Sequence, residues 1–472
     1  MANTEPTRRE FLKVTSAAAA AASLGIGGVT APMLSCRLMP DDLPRPPKRP
    51  NFVIFLCDDL GYGDLSCYGH PVIRTPNLDN LAATGMKLTD CYAAAPVCSP
   101  ARAGMLTGRT PYRAGIYDWI PQGSPMHLMR SEITAATLLR SVGYATCHSG
   151  KWHCSGTMDG SQPTPGDHGF DHWFSTQNNA RPSHHDPRNF YRNGEQVGPL
   201  TGYSSTLIVE EAIRWLGSRR QDQPFALFIW FHSPHEPVAT AEEFVRMYPK
   251  VDHANRAIYY GNVTQMDHEV GRLLAALDAM GLRDDTLVMF TSDNGPETLN
   301  RYRGAERSYG SPGPLRGMKL HLYEGGIRVA GIIRWPGHTR RGQVCREPIN
   351  GTDVLPTLCE LARVAPPADR AIDGASIVPI FEGRSIERTV PLYWQYDRAI
   401  GRPKVAMRQG NWKILAHKGL AEFELYNLED DIGEKRDLAA KEPQRFKAMA
   451  DRLGYLYRAV QAEGPTWPAR NR

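Results

Sequence analysis

The chain lacks the features that mark several large classes of protein. None of its 9 cysteines stands in a C-x-x-C pair, which excludes the usual zinc-ribbon spacing. They are odd in number and dispersed from Cys36 to Cys359, so no disulfide scaffold is expected. A single pair, Cys147 with Cys154 or Cys57 with Cys67, is the most that nearness in sequence suggests. Charge of one sign is also missing. The 55 Lys and Arg against 50 Asp and Glu leave a net +5 without basic blocks, and nothing in that balance points to nucleic acid. The apolar stretch 14–27 is too short and too rich in alanine for a stable membrane span. No internal repeat occurs. What remains is an ordinary globular composition, 41% hydrophobic and 22% charged, over 472 residues, enough for two domains.

At the N-terminus, Thr7-Arg8-Arg9-Glu10-Phe11-Leu12-Lys13 followed by the 14–27 stretch resembles a twin-arginine export signal, with an amphipathic helix as the alternative. A signal over 1–36, read by the twin-arginine export machinery, implies a periplasmic or extracellular protein. Cys36 follows Met33-Leu34-Ser35, but the apolar residue is poorly placed for a lipoprotein cleavage site. Residues 37–50, rich in Pro, Asp, Arg and Lys, read as a linker.

After the linker, four runs are continuously apolar or β-branched: 52–57, 144–148, 225–231 and 287–291. That is the pattern of strands buried on both faces. Helical patterns fall between them at 78–84, 135–141, 204–217 and 254–280. Strand, long crossover and strand predict an α/β fold, a mainly parallel sheet sandwiched by helices, over 51–366. Over 367–472 the pattern becomes short alternating runs, at 392–395, 405–408, 412–415 and 423–426, then a helix near 443–462. This predicts a smaller C-terminal antiparallel sheet plus helix.

Each strand run ends in chemistry: Asp58 and Asp59 after the first, Lys151 and His153 after the second, His232 and His235 after the third, Asp293 and Asn294 after the fourth. Ligands of open α/β sheets bind beyond the carboxyl ends of the strands, so distant segments are expected to meet on one rim. Asp58, Asp59, Asp293 and Asn294 are hard oxygen donors that suit Ca²⁺ or Mg²⁺ rather than zinc or copper. Adjacent carboxylates stay ionised together most readily around a cation. Taken singly, Asp58-Asp59 also reads as a helix cap and Asp293-Asn294-Gly295 as a turn.

Cys98-Ser99-Pro100-Ala101-Arg102 opens a predicted helix that stops at Gly108. Cys98 then sits where free backbone N–H groups and the helix dipole favour an anion such as sulfate, unless it is a plain buried cysteine. C-x-P-x-R is also the form in which type I sulfatases are read. With Thr107-Gly108-Arg109, Gly150-Lys151-Trp152-His153, Pro234-His235-Glu236-Pro237, Ser292-Asp293-Asn294-Gly295, Arg316-Gly317-Met318-Lys319 and Glu324-Gly325-Gly326-Ile327-Arg328-Val329, the chain resembles the formylglycine-dependent sulfatases of the alkaline phosphatase superfamily. Asn411-Trp412-Lys413 and Glu424-Leu425-Tyr426-Asn427-Leu428 resemble that family's C-terminal subdomain. The stretch 310–317 faintly resembles its N-acetylgalactosamine-6-sulfatase branch.

The resemblance implies a sulfuric ester hydrolase for sulfated carbohydrate or aryl sulfate. It implies that Cys98 is converted to formylglycine by a maturating enzyme, and that Ca²⁺, or Mg²⁺, is held by Asp58, Asp59, Asp293, Asn294 and the modified Cys98. Arg102 and Lys151 would anchor the hydrated aldehyde and Lys319 a sulfate oxygen. His235 would supply a proton to the leaving alcohol, and His153 would take one from the second hydroxyl. A phosphonate monoester or phosphodiester hydrolase of the same superfamily is a second possibility, and a non-catalytic binder of sulfated glycans a third. Asn178, Asn179, Arg181, His184, His185 and Arg188, and again Arg301, Arg303 and Arg307, are polar clusters that suit anionic saccharides or simply solvated loops.

Overall fold

The computed structural model describes residues 49–467; the expected export signal, Cys36 and nearly all of the linker lie outside the described residues. The large sheet has 11 strands: β1 (Asn51–Asp58), β2 (Met86–Tyr92), β3 (Ala145–Lys151), β4 (His172–Thr176), β5 (Tyr191–Arg192), β6 (Glu195–Gln196), β7 (Phe225–Pro234), β8 (Thr286–Ser292), β9 (Arg328–Arg334), β10 (Gln343–Cys345) and β11 (Ile349–Asn350). Their order is β10-β2-β9-β8-β1-β7-β3-β4-β5-β6, with β11 against β2. The centre, β8-β1-β7-β3-β4, is parallel throughout. β9 runs antiparallel to both its neighbours, so the sheet is mixed but mostly parallel. The helices are α1 (Pro76–Thr84), α2 (Cys98–Thr107), α3 (Ala135–Ser141), α4 (Ser204–Ser218), α5 (Glu242–Val245), α6 (Ala254–Ala279), α7 (Glu324–Ile327), α8 (Val354–Ala362) and α9 (Pro443–Gln461).

Every residue of β1 and β7 is buried because helices cover both faces. The strand period of two divides β1 between the two layers. Phe52, Ile54 and Leu56 pack with side chains of α2, α3 and α8, and Val53, Phe55 and Cys57 with those of α1, α4 and α6.

The second sheet, β12 (Leu392–Gln395), β13 (Val405–Gln409), β14 (Trp412–Ala416) and β15 (Phe423–Asn427), is antiparallel. α9 covers one face, with Leu453 and Leu456 against Met407, Ile414 and Leu425. Trp394, Ala406 and Leu415 on the other face meet Tyr92, Val97 and Ile327.

Neither expected disulfide forms, for all eight described cysteines are free. Cys147 faces one layer and Cys154 the opposite one, so nearness in sequence is cancelled by the sheet between them. Cys57 is buried with its sulfur 3.6 Å from Met266 Sδ, while Cys67 lies at the half-buried border of that core.

Gly150, one residue before the end of β3, fixes the approach of β3 to β7. Its φ is +118°, and a Cβ there would stand 1.9 Å from the Trp230 carbonyl oxygen. Gly150→Ala is therefore expected to cost about 3 kcal/mol of stability, read as a lowered Tm. A variant as stable as the wild type would contradict this close contact.

Candidate active site

The carboxyl ends of β1, β3, β7 and β8 open on one rim, and the N-terminus of α2 points to the same place. Asp58 ends β1, and Asp59 leaves it with φ 65°, a left-handed kink that turns its carboxylate from the strand direction. Lys151 ends β3, and His153 two residues on also has a positive φ, 55°. α2 starts at Cys98 with Pro100 in its first turn and stops at Gly108 in the left-handed region.

These side chains interlock. Cys98 Sγ donates to Asp58 Oδ1 at 3.3 Å, and Lys151 Nζ donates to Asp58 Oδ2 at 2.5 Å. Arg102 places Nε and one terminal nitrogen on Asp293 Oδ2 at 3.0 and 2.7 Å and the other on the Lys151 carbonyl at 2.8 Å, with its guanidinium over Trp230. Asp59 accepts from Lys319 Nζ at 2.7 Å and from Asn294 Nδ2 at 2.7 Å. His235 Nε2 stands 3.5 Å from Asp59 Oδ2.

Asp58, Asp59, Cys98 and His235 each present a ligand atom within 4.8 Å of the others, a group that could hold a metal ion. His235 thus stands beside the expected ligands as well as in its expected place as a proton carrier. Asn294 Oδ1 is buried and without a hydrogen-bond partner, an arrangement that fits a hard cation. Asp293 is engaged at both oxygens, since Arg102 holds Oδ2 and the Asp59 backbone N–H approaches Oδ1 at 3.3 Å.

The two histidines of the site have assignable tautomers. His153 Nε2 lies 3.0 Å from the Ile120 carbonyl, which makes it the donor and leaves buried Nδ1 a free acceptor. His235 Nδ1 lies 2.5 Å from the Glu236 carbonyl, so its Nε2 faces the acidic group with its lone pair. Neutral imidazole is the favoured form of both. Burial, then Lys151, pushes His153 well below the usual histidine range, and burial, then Lys319, takes His235 down to about 3.

Burial alone would raise every carboxyl here. It does so for Asp59, with Asp58 adding to it, and takes Asp293 to about 7. Asp58 goes the other way: burial is outweighed by Lys151, with Arg102 and Lys319, which hold it well below the usual range. Burial works against the Lys319 ammonium, but Asp59 and its neighbours keep it charged.

The site floors a cavity of about 400 Å³. Of the polar clusters expected from the sequence, Asn178, Asn179, Arg181 and Arg301 line it. His184 is buried behind, its ring 5.1 Å from that of His232, and His232 is tied at 2.7 Å to Thr176 Oγ1. His185 lies against Tyr203 and Asp186, and Arg307 is bound to the Val238 carbonyl, so neither reaches the cleft. Arg188 and Arg303 do not line it either. Missed in the sequence were Trp119, Tyr302 and Tyr396, aromatic walls of the cleft, and Glu297, which grips Arg301 at 2.6 and 2.7 Å. Glu297 follows Asn294 by three residues and could have been found as an extension of that segment.

Residues 50–364 match the Sulfatase family. The chain belongs to the sulfatase family, and it is an enzyme of that class. Residues 318–457 of this sulfatase match the N-sulphoglucosamine sulphohydrolase C-terminal family. Human arylsulfatase A is 35% identical over 400 residues, covering 78% of this chain and 74% of its own. Human N-acetylgalactosamine-6-sulfatase is 34% identical over 377 residues, covering 74% and 69%. Among solved structures, Ps i-CgsB in complex with k-i-k-neocarrahexaose superposes with a TM-score of 0.79 at 28% identity, covering 90% of this chain and 96% of that one. No helix of the described residues is long and apolar enough to cross a membrane.

His184 isolates one consequence of the buried site. Burial lowers it to about 3, and among the described residues neither ring nitrogen has a hydrogen-bond partner. Between that value and the ordinary 6.5 the unfolded chain binds the extra proton, so the contribution of neutral His184 is complete above pH 6.5 and is lost as pH falls. The unfolding free energy of His184→Gln relative to wild type is expected to move in the variant's favour by about 1.5 kcal/mol between pH 6.5 and 5. A pH-independent difference would contradict the buried neutral ring.

Proposed function

We propose that this sulfatase hydrolyses sulfate monoesters of carbohydrates through a formylglycine made from Cys98, with Ca²⁺ as the cation and Mg²⁺ as the alternative. The observation that carries the proposal is the meeting of Cys98 Sγ with Asp58 Oδ1 at 3.3 Å on the floor of the cleft, ringed by Lys151, Lys319, His153 and His235. Relatives named for N-acetylgalactosamine-6-sulfate, and a fold neighbour holding a neocarrahexaose, support a sugar substrate.

Asp58, Asp59, Asp293 and Asn294 would hold the cation, with residue 98 completing the group. When bound, it would polarise the sulfate oxygens and screen the crowded carboxylates. Converted and hydrated, residue 98 would supply both the hydroxyl that attacks sulfur and the second hydroxyl whose deprotonation lets sulfate depart.

Arg102 and Lys151, fixed by Asp293 and Asp58, orient residue 98. Lys319, kept charged by Asp59, holds a sulfate oxygen and stabilises charge as the sulfur–oxygen bond to the alcohol breaks. Burial and then Lys319 favour the neutral form of His235. The negative charge of an entering sulfate favours protonation at Nε2, from which the leaving oxygen takes its proton. His153 receives a proton at Nδ1, the ring atom without a partner, in the release step.

The end of the Sulfatase match at 364 supports a catalytic portion over 51–366 and a C-terminal subdomain over 367–472, although the second family match starts earlier, at 318, and overlaps it. Export through a twin-arginine signal over 1–36 carries chains already folded. Maturation of Cys98, which is 2% exposed, then precedes folding in the cytoplasm.

Cys98→Ala is expected to lose more than about a thousandfold in kcat with little change in Tm. Mass spectrometry of the 88–102 peptide from the active protein should show an aldehyde in place of the thiol. Full activity of Cys98→Ala would place the chemistry elsewhere. Faster turnover of a chromogenic phosphodiester than of the matched sulfate would overturn the substrate class.

A further inference from the structure

A second cavity, of about 300 Å³, adjoins the catalytic cleft and shares Asn178, Asn179 and Arg181 with it. Its lining is rich in side-chain amides, among them Gln122, Gln177, Asn189 and Gln196, with the Tyr191 ring beside them. Amides supply paired donors and acceptors for hydroxyl groups, and a tyrosine face suits the apolar side of a sugar ring. Part of this capacity is already fixed. Asn189 Nδ2 binds the Asn179 carbonyl at 3.0 Å, and Gln177 Nε2 binds the carbonyls of Ile120 and Ser155 at 3.0 and 2.8 Å. These bonds hold the wall in place. Asn178 Oδ1, on the boundary of both cavities, is buried with no partner.

Arg181 stands on the same boundary. It is exposed, and among the described residues its one side-chain hydrogen bond is to Gln122 Oε1 at 3.4 Å and it forms no ion pair. The carboxylate bordering the second cavity, Asp159, is turned onto the backbone and hydroxyl of Ser161. The boundary therefore presents one uncompensated guanidinium to whatever crosses from one cavity to the other.

We propose that the second cavity is a subsite for the sugar unit adjoining the sulfated one, and that Arg181 selects an anionic substituent on that unit, a carboxylate or a second sulfate. The inference rests on the sulfatase reading above for the position of the scissile ester. Arg181 acts as a specificity-determining residue, while the bond-breaking groups lie on the floor of the first cleft. The substrate is then an anionic oligosaccharide rather than a single sulfated sugar.

The test compares wild type with Arg181→Ala and Gln196→Ala on four substrates. Three are sulfated disaccharides whose adjoining unit is a hexuronate, a second sulfated sugar or a neutral hexose; the fourth is a small aryl sulfate. For Arg181→Ala, kcat/KM is expected to fall roughly tenfold or more on the anionic disaccharide that the site reads, and much less on the neutral one. The larger of the two anionic losses identifies carboxylate or sulfate. Gln196→Ala should weaken the disaccharides several-fold and leave the aryl sulfate unchanged. Equal losses on anionic and neutral disaccharides, or none, would overturn the proposal. Calorimetry on the full chain carrying Cys98→Ala, with the desulfated uronate disaccharide as probe, separates this subsite from the chemistry. Binding that weakens on adding Arg181→Ala supports the subsite even if hydrolysis fails. Absent binding beside normal aryl sulfate turnover removes the subsite and leaves the proposed function standing.

Discussion

Three carboxylates withdrawn from water at the ends of neighbouring strands are the constraint on which this structure depends. Asp58, Asp59 and Asp293 are 0%, 3% and 1% exposed. Isolated buried charges of one sign are far too costly to persist, so cations must be brought among them with matching geometry. Arg102, Lys151 and Lys319 come from three separate segments to do so. Each is itself almost wholly buried, and loss of any one would leave a carboxylate unpaired in a low-dielectric site. The same arrangement gives the site its chemistry: positive charge for an anion, and neutral imidazoles on either side.

The backbone around the cluster is correspondingly tight. Gly150 lets β3 close on β7, and Gly295 does the same for the loop carrying Asn294, where a Cβ would stand 1.9 Å from the Gly325 carbonyl oxygen. The segment between β8 and β9 brings Lys319. It is tied down by backbone bonds from Lys319 to Pro296, Leu320 to Pro96 and Gly325 to Arg316. The second sheet reinforces that segment from outside through the buried pair Lys413–Glu324 at 2.9 Å, while Trp394 donates to the Ala93 carbonyl at 2.7 Å close to α2. A region far from the cleft floor in sequence thus helps to position one of the charges that line the cleft.

Much of this was legible in the residues alone. Continuous apolar runs marked the central strands, because strands covered on both faces have no polar side. The residues after them marked the rim, because a parallel sheet aims all its carboxyl ends one way. β2 and β9 escaped notice. Lys87 and Thr89 on β2 alternate with buried residues, and β9 begins and ends with arginine, one of which is buried only because Asp90 and Glu324 neutralise it. The cleft walls Trp119, Tyr302 and Tyr396 lie on loops whose meeting depends on tertiary contacts with no local signal. The pairing of Cys147 with Cys154 failed for a related reason: distance along a chain says nothing of which side of a sheet a side chain faces.

The central claim is that the buried acidic group and Asn294 are built around a divalent cation. Elemental analysis by inductively coupled plasma mass spectrometry of the extensively dialysed protein, beside an Asp59→Asn, Asn294→Ala double variant, tests it directly. One Ca²⁺ or Mg²⁺ per chain in the wild type, and none in the variant, is the predicted result. A wild-type protein that is fully active and free of divalent metal would contradict the account.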